Sequence, residues 1–159
     1  PGDHNISNAL AAIALCIEMD VDYSNIITGL AKFGGAHRRF ELKGTYKGAT
    51  VIDDYAHHPT EIKASLSAAK NYPHNRLVVC FQPHTYTRTL SFLDDFAESL
   101  SAADIVLLAD IYAAREPDIY GVSSKDIADR IQKLGTEVHY LGSFEECEKF
   151  LVHNFNLFL

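Results

Sequence analysis

The sequence predicts an α/β fold: a Rossmann-like, mostly parallel sheet with flanking helices, preceded by a helical hairpin. Three observations carry this expectation. Continuous apolar runs at residues 77–81 and 105–109 have the signature of strands buried on both faces. Segments with apolar residues at helical spacing alternate with them, as in βαβ units with right-handed crossovers. Dense polar clusters follow apolar runs directly, the arrangement of a strand-to-helix junction in an α/β protein.

Residues 4–19 place Ile6, Leu10, Ile13 and Ile17 at helical spacing behind Asp3 as an N-cap. A second helix is expected over 24–33, stopped by Gly34-Gly35. Two helices of this size cannot hold a core alone, so they read as the end of something upstream. Residues 40–46 and 49–55 read as two strands joined at Lys47-Gly48.

From Pro59 to about residue 71, Ile62, Leu66 and Ala69 mark an amphipathic helix. Pro59 suits the first helical position, and His58 as N-cap places Glu61 where it can close a capping box. After the 77–81 strand, one helix is expected over 91–100, with Phe92, Phe96 and Leu100 on one face. The 105–109 strand precedes a loop over 110–122 and a helix over 124–134. A strand over 137–141 and a helix opened by Ser143-x-x-Glu146 complete the pattern.

Composition bounds the function. The 159 residues fit one domain with a small appendage, and 47% hydrophobic against 22% charged residues is ordinary for a globular protein. A net charge of −7 argues against a general nucleic-acid or anionic-membrane surface. No apolar run nears the roughly 20 residues of a membrane span, and no signal-peptide pattern opens the chain, so a cytoplasmic location is expected. Cys16, Cys80 and Cys147 are widely spaced and read as buried thiols. The chain opens on Pro1-Gly2-Asp3 without a Met and closes on an apolar run, as a sequence cut at both ends would.

The chemistry concentrates in three clusters: residues 53–58, 82–88 and 110–116. In a parallel sheet all three would lie along the carboxyl edge of the strands and could share one crevice. Asp54 is as well suited to bonding a turn as to binding a ligand. Arg88 near a helix start is disfavoured by the helix dipole, so a bound carboxylate or phosphate could hold it there, the alternative being a solvated surface cation. A zinc site of Asp54, His57, His58 and His84 is a weaker alternative, because no i, i+4 His pair supports it. There is no GxxxxGK[ST] phosphate loop, no GxGxxG fingerprint and no nucleophile elbow. By chemistry alone this is a binding half, and any triphosphate it serves must be cradled elsewhere.

Two segments carry a resemblance. Asp53-Asp54-Tyr55-Ala56-His57-His58-Pro59-Thr60-Glu61 and Phe81-Gln82-Pro83-His84-Thr85-Tyr86-Thr87-Arg88-Thr89 closely resemble signatures of the Mur ligase family of peptidoglycan synthesis. Gly2-x-His4-Asn5-x-x-Asn8-x-x-Ala11-Ala12 looks like the motif that ends the family's central ATPase domain, and Arg38-Arg39-Phe40-Glu41 like the entry to its C-terminal domain. The resemblance implies that residues 1–34 are the last helices of that ATPase domain. Residues 35–159 would be the amino-acid-binding C-terminal domain, truncated at its last strand.

The implied reaction joins L-alanine to UDP-N-acetylmuramate, with ATP and Mg2+ serving the full-length enzyme and none expected bound tightly to this portion. The lactyl carboxylate attacks the γ-phosphate, and the amine of alanine then attacks the acyl phosphate. By motif, His4, Asn5, Asn8, Arg39 and Asp54 would face the nucleotide. Tyr55, His57, His84 and Arg88 would shape the alanine and acyl-phosphate pocket, with Arg88, His57 and His84 as the catalytic candidates. No protein metal ligand, nucleic acid or membrane partner is implied; the partners are the substrates and the missing domains of the same chain.

Thr85 stands where many relatives carry Arg, residues 112–117 fit the family loosely and receive no role, and a Met-Gly-Ala-Gly-Asp-like segment is absent. The portion alone is therefore expected to be inactive. Two alternatives are a related ligase that attaches a recycled tripeptide to the same UDP-sugar, and a non-catalytic binding module descended from such an enzyme.

Overall fold

The computed structural model describes residues 3–157. The chain divides into two compact units, Pro1–Tyr55 and Ala56–Leu159.

The first unit contains two helices and a β-hairpin. Helix α1 spans Asp3–Glu18 and α2 spans Tyr23–Lys32. Asp22 caps α2 by accepting from the Ser24 N–H at 2.8 Å. Ile26 is the buried residue of α2, whereas Leu10 of α1 is 61% exposed and Phe33 70%. The side chain of Asp3, the expected N-cap, lies outside the described residues. Strands β1 (Glu41–Tyr46) and β2 (Ala49–Asp53) pair antiparallel. Their two-residue connection has φ of 48° at Lys47 and 93° at Gly48, the left-handed pair that matches strand twist in a tight hairpin.

The second unit is a three-layer α/β structure. Strands β3 (Val78–Phe81), β4 (Ile105–Ala109) and β5 (Glu137–Gly142) form a parallel sheet in the order β3-β4-β5. Helix α3 (Pro59–Ala69) precedes β3, α4 (Tyr86–Ser91) and α5 (Leu93–Leu100) join β3 to β4, and α6 (Ser124–Lys133) joins β4 to β5. Helix α7 (Phe144–His153) follows, with a short 3-10 turn at Phe155–Leu157.

Strand alternation sorts the core. On one face, Val106 and Leu108 of β4 pack with Phe81, Ile62, Leu66, Phe96, Leu100, Ile127 and Ile131. On the other, Ile105 and Leu107 pack with Cys147 of α7, with Val78, Leu141 and Phe150 around them. All five residues of β4 are buried, as its unbroken apolar run requires of a central strand.

The structure corrects five expectations. Strand β2 pairs with β1 and, among the described residues, is no member of the parallel sheet. The run at 77–81 forms the edge of that sheet, so Cys80 is exposed; an apolar run alone cannot tell an edge from a centre. Of the three cysteines only Cys147 is buried. The expected helix over 91–100 is α5, but an unexpected helix, α4, precedes it across a break at Phe92 with φ −125° and ψ 27°. Finally, Ser143 caps α7 by accepting from the Glu146 N–H at 3.2 Å, whereas the full reciprocal box occurs at Ser123 and Asp126 of α6.

Candidate functional site

The 53–61 junction folds as its local chemistry dictates. His58 is the N-cap of α3 with Pro59 next, and the Thr60 N–H donates to His58 Nδ1 at 3.3 Å. Glu61 reaches back: its Oε2 accepts from the backbone N–H of His58 at 3.3 Å and of His57 at 3.1 Å. The same oxygen lies 3.5 Å from His57 Nδ1, so one carboxylate caps the helix and fixes the imidazole beside it. The His58 ring turns the other way, edge-on to Phe92 at 4.8 Å between centroids.

After β3 the chain brings His84 to His57. Their ring centroids are 6.0 Å apart and tilted by 57°. On its other side His84 meets the Tyr112 ring at 5.5 Å. Arg88 Nη1 sits 3.5 Å from His84 Nδ1. A guanidinium can only donate, so His84 Nδ1 accepts, and the neutral imidazole keeps its proton on Nε2. Burial, followed by the Arg88 charge and then that of His57, holds the His84 imidazolium below its ordinary pKa of 6.5, and Glu116 opposes them. His57, His84 and Arg88 thus form one cluster at the mouth of β3, with a neutral imidazole beside a permanent cation.

The dipole argument for Arg88 does not survive. Helix α4 has six residues, so its third residue already belongs to its last turn, where a cation is favoured. The cluster itself, not the helix end, makes Arg88 distinctive.

In the first unit, Asp54 is used structurally. Its Oδ2 accepts from the Phe40 N–H at 2.9 Å, where Arg38 and Phe40 both have positive φ, 54° and 49°. Tyr55 donates its N–H to Arg38 O at 2.7 Å, and the Arg38 guanidinium lies 4.6 Å over the Tyr55 ring. Arg39, exposed, follows in the same turn. Asn5 and Asn8 lie exposed on the first turns of α1; the side chain of His4 is outside the described residues.

Among the described residues no group of three or more His, Cys, Asp or Glu side chains is built to hold a metal ion. The zinc alternative loses its ligands to other duties: His58 to its cap and Asp54 to the Phe40 turn.

The loop after β4, grouped with the other two clusters by its position but given no role by the resemblance, is bound into the cluster. Tyr112 N–H donates to Pro83 O at 2.8 Å and Thr85 N–H to Tyr112 O at 2.9 Å. Glu116 Oε2 accepts from the Thr87 N–H at 2.9 Å, and Thr87 Oγ1 donates to Glu116 Oε1. The only signal in the sequence was an acid in a loop at the carboxyl end of a buried strand. At the same sheet edge Gln82 Nε2 donates to Asp110 O at 3.1 Å, and Tyr140 donates its hydroxyl to Asp110 Oδ1. No helix among the described residues is long and apolar enough to cross a membrane.

Comparison with known proteins is consistent across sequence and structure. The profile of the Mur ligase, glutamate ligase domain matches residues 38–154. A UDP-N-acetylmuramate–L-alanine ligase of Agathobacter rectalis is 64% identical over 97% of this chain. The chain spans 34% of that relative's length. Among solved structures, the UDP-N-acetylmuramate-alanine ligase of Thermotoga maritima aligns with a TM-score of 0.76 at 35% identity, over 94% of this chain and 31% of its own. A murein peptide ligase of Psychrobacter arcticus aligns at 0.69 and 29%, over 95% and 31% respectively.

Proposed function

Since the chain belongs to the Mur ligase family, we propose that it is the C-terminal part of an ATP-dependent ligase joining L-alanine to UDP-N-acetylmuramate. The observation that carries this reading is the near-complete match, at high identity, to a relative named for that reaction. The murein peptide ligase shares the fold at much lower identity, so tripeptide attachment ranks second.

Residues 1–34 are assigned to the preceding ATPase domain and 35–159 to the amino-acid-binding domain. Two facts support this. The family profile begins at residue 38. Helices α1 and α2 leave Ile6, Leu10 and Ile27 exposed, and Phe33 after α2 as well, apolar side chains suited to packing against further protein.

The chemistry divides accordingly. A carboxylate is a poor electrophile, so ATP must convert it to an acyl phosphate before an amine can attack. No phosphate loop is present in this sequence, so the phosphates of ATP fall to another part of the enzyme. The residues of this chain bind and orient. Arg88, a fixed cation with forked donors, suits the carboxylate of alanine or the charge that develops on the acyl phosphate. His84, uncharged near neutral pH with Nδ1 turned to Arg88, keeps its proton on Nε2, where it can donate to a substrate. His57, held by Glu61, forms the adjoining wall. By motif, Tyr55 joins the amino-acid side, and His4, Asn5, Asn8, Arg39 and Asp54 the nucleotide side.

The deciding experiment is a product assay on the full-length enzyme with ATP, UDP-N-acetylmuramate and alanine in competition with tripeptide. The expected product is the alanyl adduct, with one phosphate released per amide. Preferential tripeptide attachment would transfer the assignment to the recycling branch, and absence of both products would leave the binding-module reading.

A further inference from the structure

The entry to α4 is held in an unfavourable conformation. Thr85 has φ 66° and ψ 144°, a region that a β-branched residue avoids, and its side chain makes no cap bond to the helix. The first N–H groups of α4 therefore need acceptors from elsewhere. The 112–116 loop supplies the missing restraints in two ways. Its backbone forms a parallel bridge between Tyr112 and His84, which fixes the peptide groups on both sides of the His84 ring. Its carboxylate, Glu116, takes the N–H and the hydroxyl of Thr87 from 29 residues away. These bonds to Thr87 are the main cause that holds Glu116 below the usual carboxylate range, with further bonds to Tyr86 and Thr85 adding to it.

Thr87 is the residue before Arg88, and His84 lies just ahead of the turn. We propose that Glu116 is a positioning residue for amino-acid binding: it caps α4 from the neighbouring loop and so fixes the direction in which Arg88 and His84 present their donors. This rests on the ligase reading above. Glu116 lies outside both apolar cores, so its loss disturbs the aim of α4 before it disturbs the fold. Residues in one such chain of contacts act as a unit, and their substitutions are not additive.

The test is steady-state kinetics of the full-length ligase carrying Glu116→Ala, Glu116→Gln and Glu116→Asp, with thermal melts of each. Glu116→Ala should raise KM for alanine about tenfold, the scale of a lost cap converted to affinity, while KM for ATP stays within twofold. Glu116→Gln, which keeps one acceptor oxygen, should recover part of that loss. In an Arg88→Ala background the Glu116→Ala change should add little. An active ligase whose folded Glu116 variants all keep the wild-type KM for alanine overturns the proposal, as do fully multiplicative effects in the double variant. If Glu116→Ala fails to fold, the Gln and Asp variants decide the matter by the same readout. A wild-type enzyme without alanine-dependent phosphate release overturns the ligase reading, and the substrate assigned to this device with it.

Discussion

Arg88 Nη1 lies 3.5 Å from His84 Nδ1, so a permanent cation donates to the nitrogen that would otherwise take up a proton near neutral pH. The pairing is purposeful only if the imidazole stays neutral. It does so through burial first, then the Arg88 and His57 charges, with Glu116 working against them.

A titration follows from that pairing. NMR observation of the His84 ring should give a midpoint below 6.5. Arg88→Met should move it upward, and Glu116→Gln further down, because each removes a charge of known sign. The linkage has a definite direction. The unfolded chain binds this proton more readily than the folded one, so stability is lost as pH falls through 6.5 toward the lowered folded value, and is complete above it. His84→Gln should flatten that acid-side loss in urea melts run across the pH range. A midpoint at or above 6.5 in the wild-type chain would remove the neutral-donor role assigned to His84.

Glu61 gives a second prediction, because one carboxylate serves two ends. It caps α3 through the N–H groups of His57 and His58 and stands beside the His57 ring. Glu61→Ala should cost about 1 kcal/mol of stability, the usual scale for a lost helix cap. Glu61→Gln should cost less, since it retains an acceptor oxygen. In the full-length enzyme the Ala variant should also lower turnover more than its thermal shift explains, as His57 loses its restraint. Equal melts for Ala and wild type would show that the box contributes nothing in solution.

The contrast between α3 and α4 shows how far sequence reading reaches. The start of α3 was readable because its determinants are local: Pro59 at the first helical position, with His58 and Glu61 three residues apart. Strand β4 was readable because burial on both faces demands an unbroken apolar run. The break at Phe92 has no glycine or proline to announce it; the Phe92 ring packs edge-on to His58, a partner far away in sequence that only the fold brings near. Glu116 was legible as an acid in the third cluster, but its bond to Thr87, 29 residues earlier, was not, for the same reason. The edge position of β3 and the separate pairing of β2 depend on which strands meet, which no periodicity encodes. Of the candidate site, the residue types were readable and the bonds that aim them were not.

Phe96 tests the packing on which the cluster stands. It is 0% exposed, with its ring centroid 5.5 Å from Phe81 and 6.5 Å from Phe92. Phe81 ends β3, immediately before the segment that carries His84 and Arg88, and Phe92 meets the cap residue His58. Phe96→Ala should therefore cost about 3–5 kcal/mol, the transfer loss plus the cavity left behind. Phe144→Ala is the control, because that ring is 50% exposed and should change stability by about 0.5 kcal/mol or less. Urea midpoints at constant slope would measure both. Because the lost ring contacts elements on both sides of the site, the partly destabilised Phe96→Leu variant should also broaden the His57 and His84 ring signals while leaving those of His153 on α7 unchanged. Unaltered His57 and His84 signals in a destabilised variant would show that the core and the cluster are independent.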